Sequence, residues 1–226
     1  MGGRDAPGGG APAVSREPGA GASAVPPPAP DRRPRLGAAT RPYPGETANG
    51  DGWAVSWDGD ACRLTVVDGL GHGPAAAAAT RAALDALAAR PGLGPADALR
   101  TCHAALAGTR GAAVSVARLE PDRRRLTYAG VGNVEARLWP AGPAGPAARP
   151  IAYRGIVGAV LPTLRPAEFA LAEDWLLVLH TDGLSARLVL EPGSAGAGLE
   201  PQALAEALLT RWGRATDDAT VVVAAG

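Results

Sequence analysis

Two short apolar runs, residues 53–57 and 62–67, flank Asp58-Gly59-Asp60, a sequence with the chemistry of a tight turn. A hairpin is predicted. If the chain turns about Gly59-Asp60, Asp51 stands as far before the turn as Asp68 stands after it, so the two carboxylates oppose each other at the open end. Directly opposed residues of an antiparallel pair have Cα atoms roughly 4.5 to 5.5 Å apart. Like charges at that spacing repel and need a counter-charge. The chain contains no Lys to supply one, which makes a bound cation the natural partner.

Two further aspartates share this context. Asp182 ends the apolar run WLLVLHTDG, and Asp217 in Thr216-Asp217-Asp218-Ala219 precedes ATVVVAA. Antiparallel neighbours would bring these together as a second carboxylate pair. Taken singly, each aspartate is first a turn residue, because Asp-Gly at a strand end is ordinary turn chemistry. Taken jointly, the four form an oxygen-only ligand set without a Cys or His pair, which favours hard Mg²⁺ or Mn²⁺ over zinc. Two such ions can clamp a phosphoryl oxygen and activate water. The glycines of Asp68-Gly69-Leu70-Gly71-His72-Gly73 allow close backbone approach, so the Gly69 carbonyl is a further candidate ligand, although the same glycines suit a plain strand-to-helix turn.

Around these residues the chain divides simply. Residues 1–35 are Gly, Ala, Pro and Arg without hydrophobic period and read as a disordered leader. Residues 36–226 read as one domain. Pro74 occupies a first helical position, and no breaker follows until Pro91. A second helix is expected over about 95–107, then an antiparallel meander of GAAVSVARL, RRLTYAGV and NVEARLWP joined by turns at Glu120-Pro121-Asp122 and Gly132-Asn133. A loop at about 140–149, strands near 151–157 and 168–171, the run ending at Asp182, a helix over about 200–212 and a last strand complete the pattern. Antiparallel sheets with segregated helices make the fold class α+β.

Composition excludes several chemistries. Every base is Arg, and 22 of them balance 22 acidic residues, so no global field recruits nucleic acid or an anionic membrane. Without Lys there is no Schiff-base chemistry and no P-loop lysine. Cys62 and Cys102 lack metal-ligand spacing and read as small buried residues. No run approaches the roughly 18 to 20 apolar residues of a membrane span. A cytoplasmic protein is expected. His72 reads as a hydrogen-bonding or surface residue before a general acid, and Arg110 as a solvated side chain before a phosphate ligand.

Four segments, PGETANGDGW, VVDGLGHG, HTDGL and TDDATVVV, together with ALAGTRGAAVSVARLEPDRRRLTYAGVGNVEARL, resemble the metal-dependent (PPM) serine/threonine protein phosphatases. They are most similar to the SpoIIE-type branch and its short RsbX-like members, over residues 36–226. The resemblance implies a four-layer α-β-β-α sandwich of two antiparallel sheets with a dinuclear Mn²⁺ or Mg²⁺ site. It further implies that Asp51, Asp68, Asp182 and Asp217 bind the ions, with Asp68 bridging them and Gly69 lending its carbonyl. Activity would be hydrolysis of phosphoserine or phosphothreonine by metal-activated water. The implied substrate is a phosphorylated STAS-domain anti-anti-sigma or stressosome protein of a partner-switching pathway. Arg41 is the residue nearest in sequence to the phosphate-gripping arginine of eukaryotic relatives. The alternative is a non-catalytic phosphatase-fold module that docks a signalling partner.

Overall fold

A computed structural model of the chain describes residues 1, 33–140, 147–190 and 200–226. The leader expected over 1–35 lies almost wholly outside the described residues, as does most of the loop expected at 140–149. Ten strands and three α-helices follow one another among the described residues: β1 (Arg35–Arg41), β2 (Asp51–Asp58), β3 (Ala61–Gly69), α1 (Pro74–Ala88), α2 (Pro95–Ala105), β4 (Ala112–Glu120), β5 (Arg125–Val131), β6 (Glu135–Trp139), β7 (Ala152–Tyr153), β8 (Ala167–Ala170), β9 (Leu176–His180), α3 (Pro201–Trp212) and β10 (Ala219–Ala225).

The strands form two sheets. One runs β1-β10-β9-β6; the other runs β2-β3-β4-β5-β7, with β8 also on β5. Alternation along the strands divides the apolar side chains between three cores. Leu64 and Val66 of β3, Leu177 and Leu179 of β9, and Val222 and Ala224 of β10 meet between the sheets. Val67 and Val114 face α1 and α2 across Ala79, Ala83, Leu87 and Leu99. Val221 and Val223 face α3 across Leu204 and Leu208. The layers are therefore helix, sheet, sheet, helix, as the resemblance implied. Each fully buried Val or Leu contributes roughly 1.5–3 kcal/mol over leaving it in water.

The expected hairpin forms with Asp51 opposite Asp68. The expected meander does not. After β5 the chain leaves its sheet at Gly132-Asn133, and β6 pairs with β9 in the other sheet. The crossing is made at a crowded turn: Gly132 has φ +99°, and a Cβ there would lie 2.3 Å from the Ala113 Cβ. The sheets are also not wholly antiparallel, because β7 runs parallel to β5 at Gly130 and Val131. Strand β1, which sequence patterning left unassigned, pairs along its length with β10. The strand expected near 151–157 shortens to β7, and the one expected near 168–171 forms as β8 one residue earlier.

Candidate metal centre

One end of the two sheets collects the acidic residues. Asp51 and Asp68 are cross-strand partners at the open end of the β2–β3 hairpin. Strands β9 and β10 pair with His180 opposite Val221, which carries Asp182 and the 217–218 segment to the same end of the neighbouring sheet. Sequence order therefore supplies two carboxylate pairs, and the sandwich stacks one over the other.

The electrostatic consequences are large. Asp51 is 7% exposed, and burial pushes its carboxyl up to about 7 against the lowering hydrogen bond of Thr181; the Asp218 charge raises it further. Asp68 is pushed up to about 8, first by burial and then by the charges of Asp51, Asp182, Asp217 and Asp218. Asp182 is raised as well, by burial and then by Asp217, while the Asn133 hydrogen bond and the Arg214 charge oppose the shift. Five carboxylates thus share one field.

Neutral donors hold several of their oxygens. The Thr181 hydroxyl donates to Asp51 Oδ2 at 2.6 Å, and the Asp51 N–H donates to Asn49 Oδ1 at 2.9 Å. The Asn133 amide donates to Asp182 Oδ2 at 2.7 Å. Asp217 Oδ1 accepts the Asp218 N–H at 2.9 Å. Asp218 is 2% exposed; its Oδ1 accepts the Tyr43 N–H at 2.8 Å, and its Oδ2 is buried without a hydrogen-bond partner. Among the described residues, no group of three Asp, Glu, His or Cys side chains is arranged as it stands to hold a metal ion. The donor chemistry nevertheless fits a hard cation. Every candidate ligand is an oxygen, the acids repel one another, and one buried carboxylate oxygen lacks a donor.

The backbone around the carboxylates is packed too tightly for side chains. A Cβ on Gly69 would lie 2.4 Å from the Ala76 carbonyl of α1, and one on Gly183 would lie 1.8 Å from the Asp218 carbonyl. The Gly69 N–H donates to the Gly50 carbonyl at 3.1 Å, joining the residue before Asp51 to the residue after Asp68.

Other candidates fall outside the carboxylate cluster. Arg41 donates to the Arg214 carbonyl and so anchors the 213–218 loop. His72 stacks on Tyr43 with ring centroids 4.4 Å apart, and its Nδ1 lies 3.0 Å from Glu46 Oε1, which closes the β1–β2 loop over the β3–α1 loop. Arg110 is exposed beside Gly71. Residues that sequence reasoning passed over are Thr181, Asn133 and Asp218. Thr181 and Asp218 stood inside recognised motifs, whereas Asn133 had only a turn signal.

A four-layer sandwich with aspartates gathered at one end of its paired sheets defines a PPM-type phosphatase fold. Residues 58–225 match the family described as Stage II sporulation protein E (SpoIIE), and the chain belongs to that family. It is 26% identical over 141 residues to the phosphoserine phosphatase RsbX of Bacillus subtilis (strain 168), covering 62% of this chain and 70% of that one. A structure of RsbX in complex with magnesium superposes with a TM-score of 0.73 at 22% identity, covering 83% of this chain and 92% of that one. A structure from work on the bacterial stressosome as a modular system that controls secondary messenger signalling gives a TM-score of 0.79 at 31% identity, over 85% of this chain and 99% of that one. The PP2C phosphatase domain of SpoIIE from Bacillus subtilis gives 0.71 at 20% identity, over 85% of this chain and 63% of that one. No helix among the described residues is long and apolar enough to cross a membrane.

Proposed function

We propose that residues 36–226 form a metal-dependent protein phosphatase that hydrolyses phosphoserine or phosphothreonine on a phosphorylated STAS-domain regulator of a cytoplasmic partner-switching or stressosome pathway. The observation that carries this reading is the opposed Asp51/Asp68 pair, raised to about 7 and about 8 by burial and by neighbouring carboxylates. A fold gains nothing from stacking repelling acids unless a cation is to be held there.

Asp51, Asp68, Asp182 and Asp217, with the Gly69 carbonyl, would hold two Mn²⁺ or Mg²⁺ ions. When bound, such ions supply Lewis-acid polarisation of a phosphoryl oxygen and a water of lowered pKa. The chain's own residues prepare the site. Thr181 fixes one Asp51 oxygen, Asn133 fixes one Asp182 oxygen, and the Tyr43 N–H holds Asp218 beside them. The stressosome structure and the phosphoserine phosphatase RsbX, both similar to this chain, support a phosphoprotein substrate in such a pathway.

The test is phosphate release from a phosphoserine peptide and from a phosphorylated STAS-domain protein, with Mn²⁺, with Mg²⁺ and with chelator. Metal-dependent release that Asp182→Asn abolishes in folded protein is the expected result. Absence of release under every metal would leave the chain as a non-catalytic docking module.

A further inference from the structure

The surface beside Asp182 is divided by the Gly132-Asn133 turn into two hollows, of about 380 and 340 Å³. Asn133 lines both, and its amide holds Asp182, so each hollow opens beside the carboxylate cluster. Among the described residues, Arg154 is the one charged residue lining the smaller hollow, beside Leu70, Gly155 and Ile156. The larger hollow holds Arg149 and Ile151, the latter 75% exposed, together with Asp182 and Glu135. Glu135 already faces Arg137 and His180, each at 3.7 Å.

Among the described residues, the side chains of Arg149 and Arg154 have no hydrogen-bond or ion-pair partner. Among the described residues Arg110 has no such partner either, and its guanidinium lies against the same loop: a Cβ on Gly71 would sit 2.9 Å from Arg110 Nη1. The two arginine-bearing segments meet there. The Leu70 N–H donates to the Gly111 carbonyl, and Gly111 abuts Ile156. An exposed guanidinium with carboxylates nearby ordinarily pairs with them; these remain available to an anion from outside.

We infer that this cleft docks an acidic stretch of the phosphoprotein substrate, with Arg154 and Arg149 pairing with carboxylates on either side of the phosphorylated residue and Arg110 reinforcing the Arg154 side. The inference rests on the phosphatase reading for its substrate. Six residues of chain, 149 to 154, separate the two arginines by at most roughly 17 Å. The paired acids therefore fall within about two or three residues of the phosphoserine. Ile151 and Ile156 add apolar contact beside the cations, so an acidic residue with an apolar neighbour suits each hollow.

The experiment compares phosphoserine peptides that differ only at the two positions on each side: Asp/Glu, Gln or Arg. Turnover with Mn²⁺ and peptide binding by fluorescence anisotropy are both measured, in the full chain and in Arg154→Glu and Arg149→Glu. The wild type should favour the acidic peptide over the Gln peptide by about tenfold in kcat/KM, carried by KM and weakened by salt. Each charge reversal should remove about that factor, and the double reversal should turn the preference toward the Arg peptide. Equal KM for all three peptides, or an unchanged preference in folded Arg154→Glu protein, would overturn the inference. If no peptide is turned over but binding still follows flank charge, the phosphatase reading fails while the docking surface stands.

Discussion

The two ends of the six-stranded sheet treat charge in opposite ways. At the hairpin-tip end, Asp58 pairs with Arg118 at 2.9 Å, Glu120 with Arg125 at 2.8 Å, and Glu173 with Arg124 at 2.9 Å. These carboxylates all have a guanidinium partner, Arg125 serving Glu168 as well as Glu120, and most of these partners reach solvent. At the other end, Asp51 and Asp68 face each other with no arginine between them, and Asp182, Asp217 and Asp218 add to the same field. A chain with as many acids as arginines thus pairs acids with arginines at one end and gathers five carboxylates in one field at the other. The lesson is that net charge says little about a site; the allocation of partners says more.

The largest break in this contrast comes from Asp68→Asn. It should lower metal-dependent phosphate release by at least about a thousandfold, in line with loss of an electrostatic centre of this kind. In chelator the same substitution should raise the melting temperature at pH 8, since it removes a buried charge that its neighbours repel. The gain should vanish at pH 5, where Asp68 is protonated in the fold.

The two buried aspartates set a pH dependence of the same sign. The folded-state pKa values of Asp51 and Asp68, about 7 and about 8, lie above the ordinary 3.8, so the folded state binds more protons between those limits. Their contribution is present at low pH and is lost as pH rises through 7 to 8. In chelator the melting temperature should fall by roughly 5–10 °C from pH 5 to pH 8, as read by differential scanning calorimetry. Saturating Mn²⁺ should abolish that fall, because the cation replaces the protons. A flat profile in chelator would show that the aspartates do not share one buried field.

A smaller effect is expected from Asn133→Ala, which frees Asp182 Oδ2 without touching a carboxylate. Mn²⁺ affinity measured by calorimetric titration should drop by about tenfold, the usual scale for a residue that orients a ligand. Folding in chelator should be little changed. Smallest of all, Asp58→Ala at the hairpin tip removes a half-exposed ion pair and should cost no more than about 1 kcal/mol in denaturant titration, with phosphate release unaltered.

Much of this architecture is legible in local signals. The β2–β3 register follows from turn chemistry and period-two patterning, so the Asp51–Asp68 opposition could be written down before any coordinates. The three α-helices begin at Pro74, Pro95 and Pro201, each a residue pre-set for the first helical turn. The exit of β6 from its sheet was not legible. RRLTYAGV-Gly-Asn-VEARLW reads as a hairpin, because no local signal distinguishes a tight turn within one sheet from a crossing to another. Asn133 was hidden for the same reason: its value depends on Asp182, 49 residues away, which only β6–β9 pairing brings within reach.

By itself, then, the sequence determined the elements, the hairpin register and the inventory of acids, because these depend on spacing, turn residues and side-chain chemistry within a few positions. Tertiary structure alone decided which acids share a field, that Asp218 is buried among them with one oxygen unpartnered among the described residues, and that Arg154 and Arg149 line the hollows on either side of Asn133. Those facts depend on how two sheets stack and where each loop is pinned. Coulomb interaction and desolvation act through space, so no arrangement of charges along the chain can stand in for their distances in the fold.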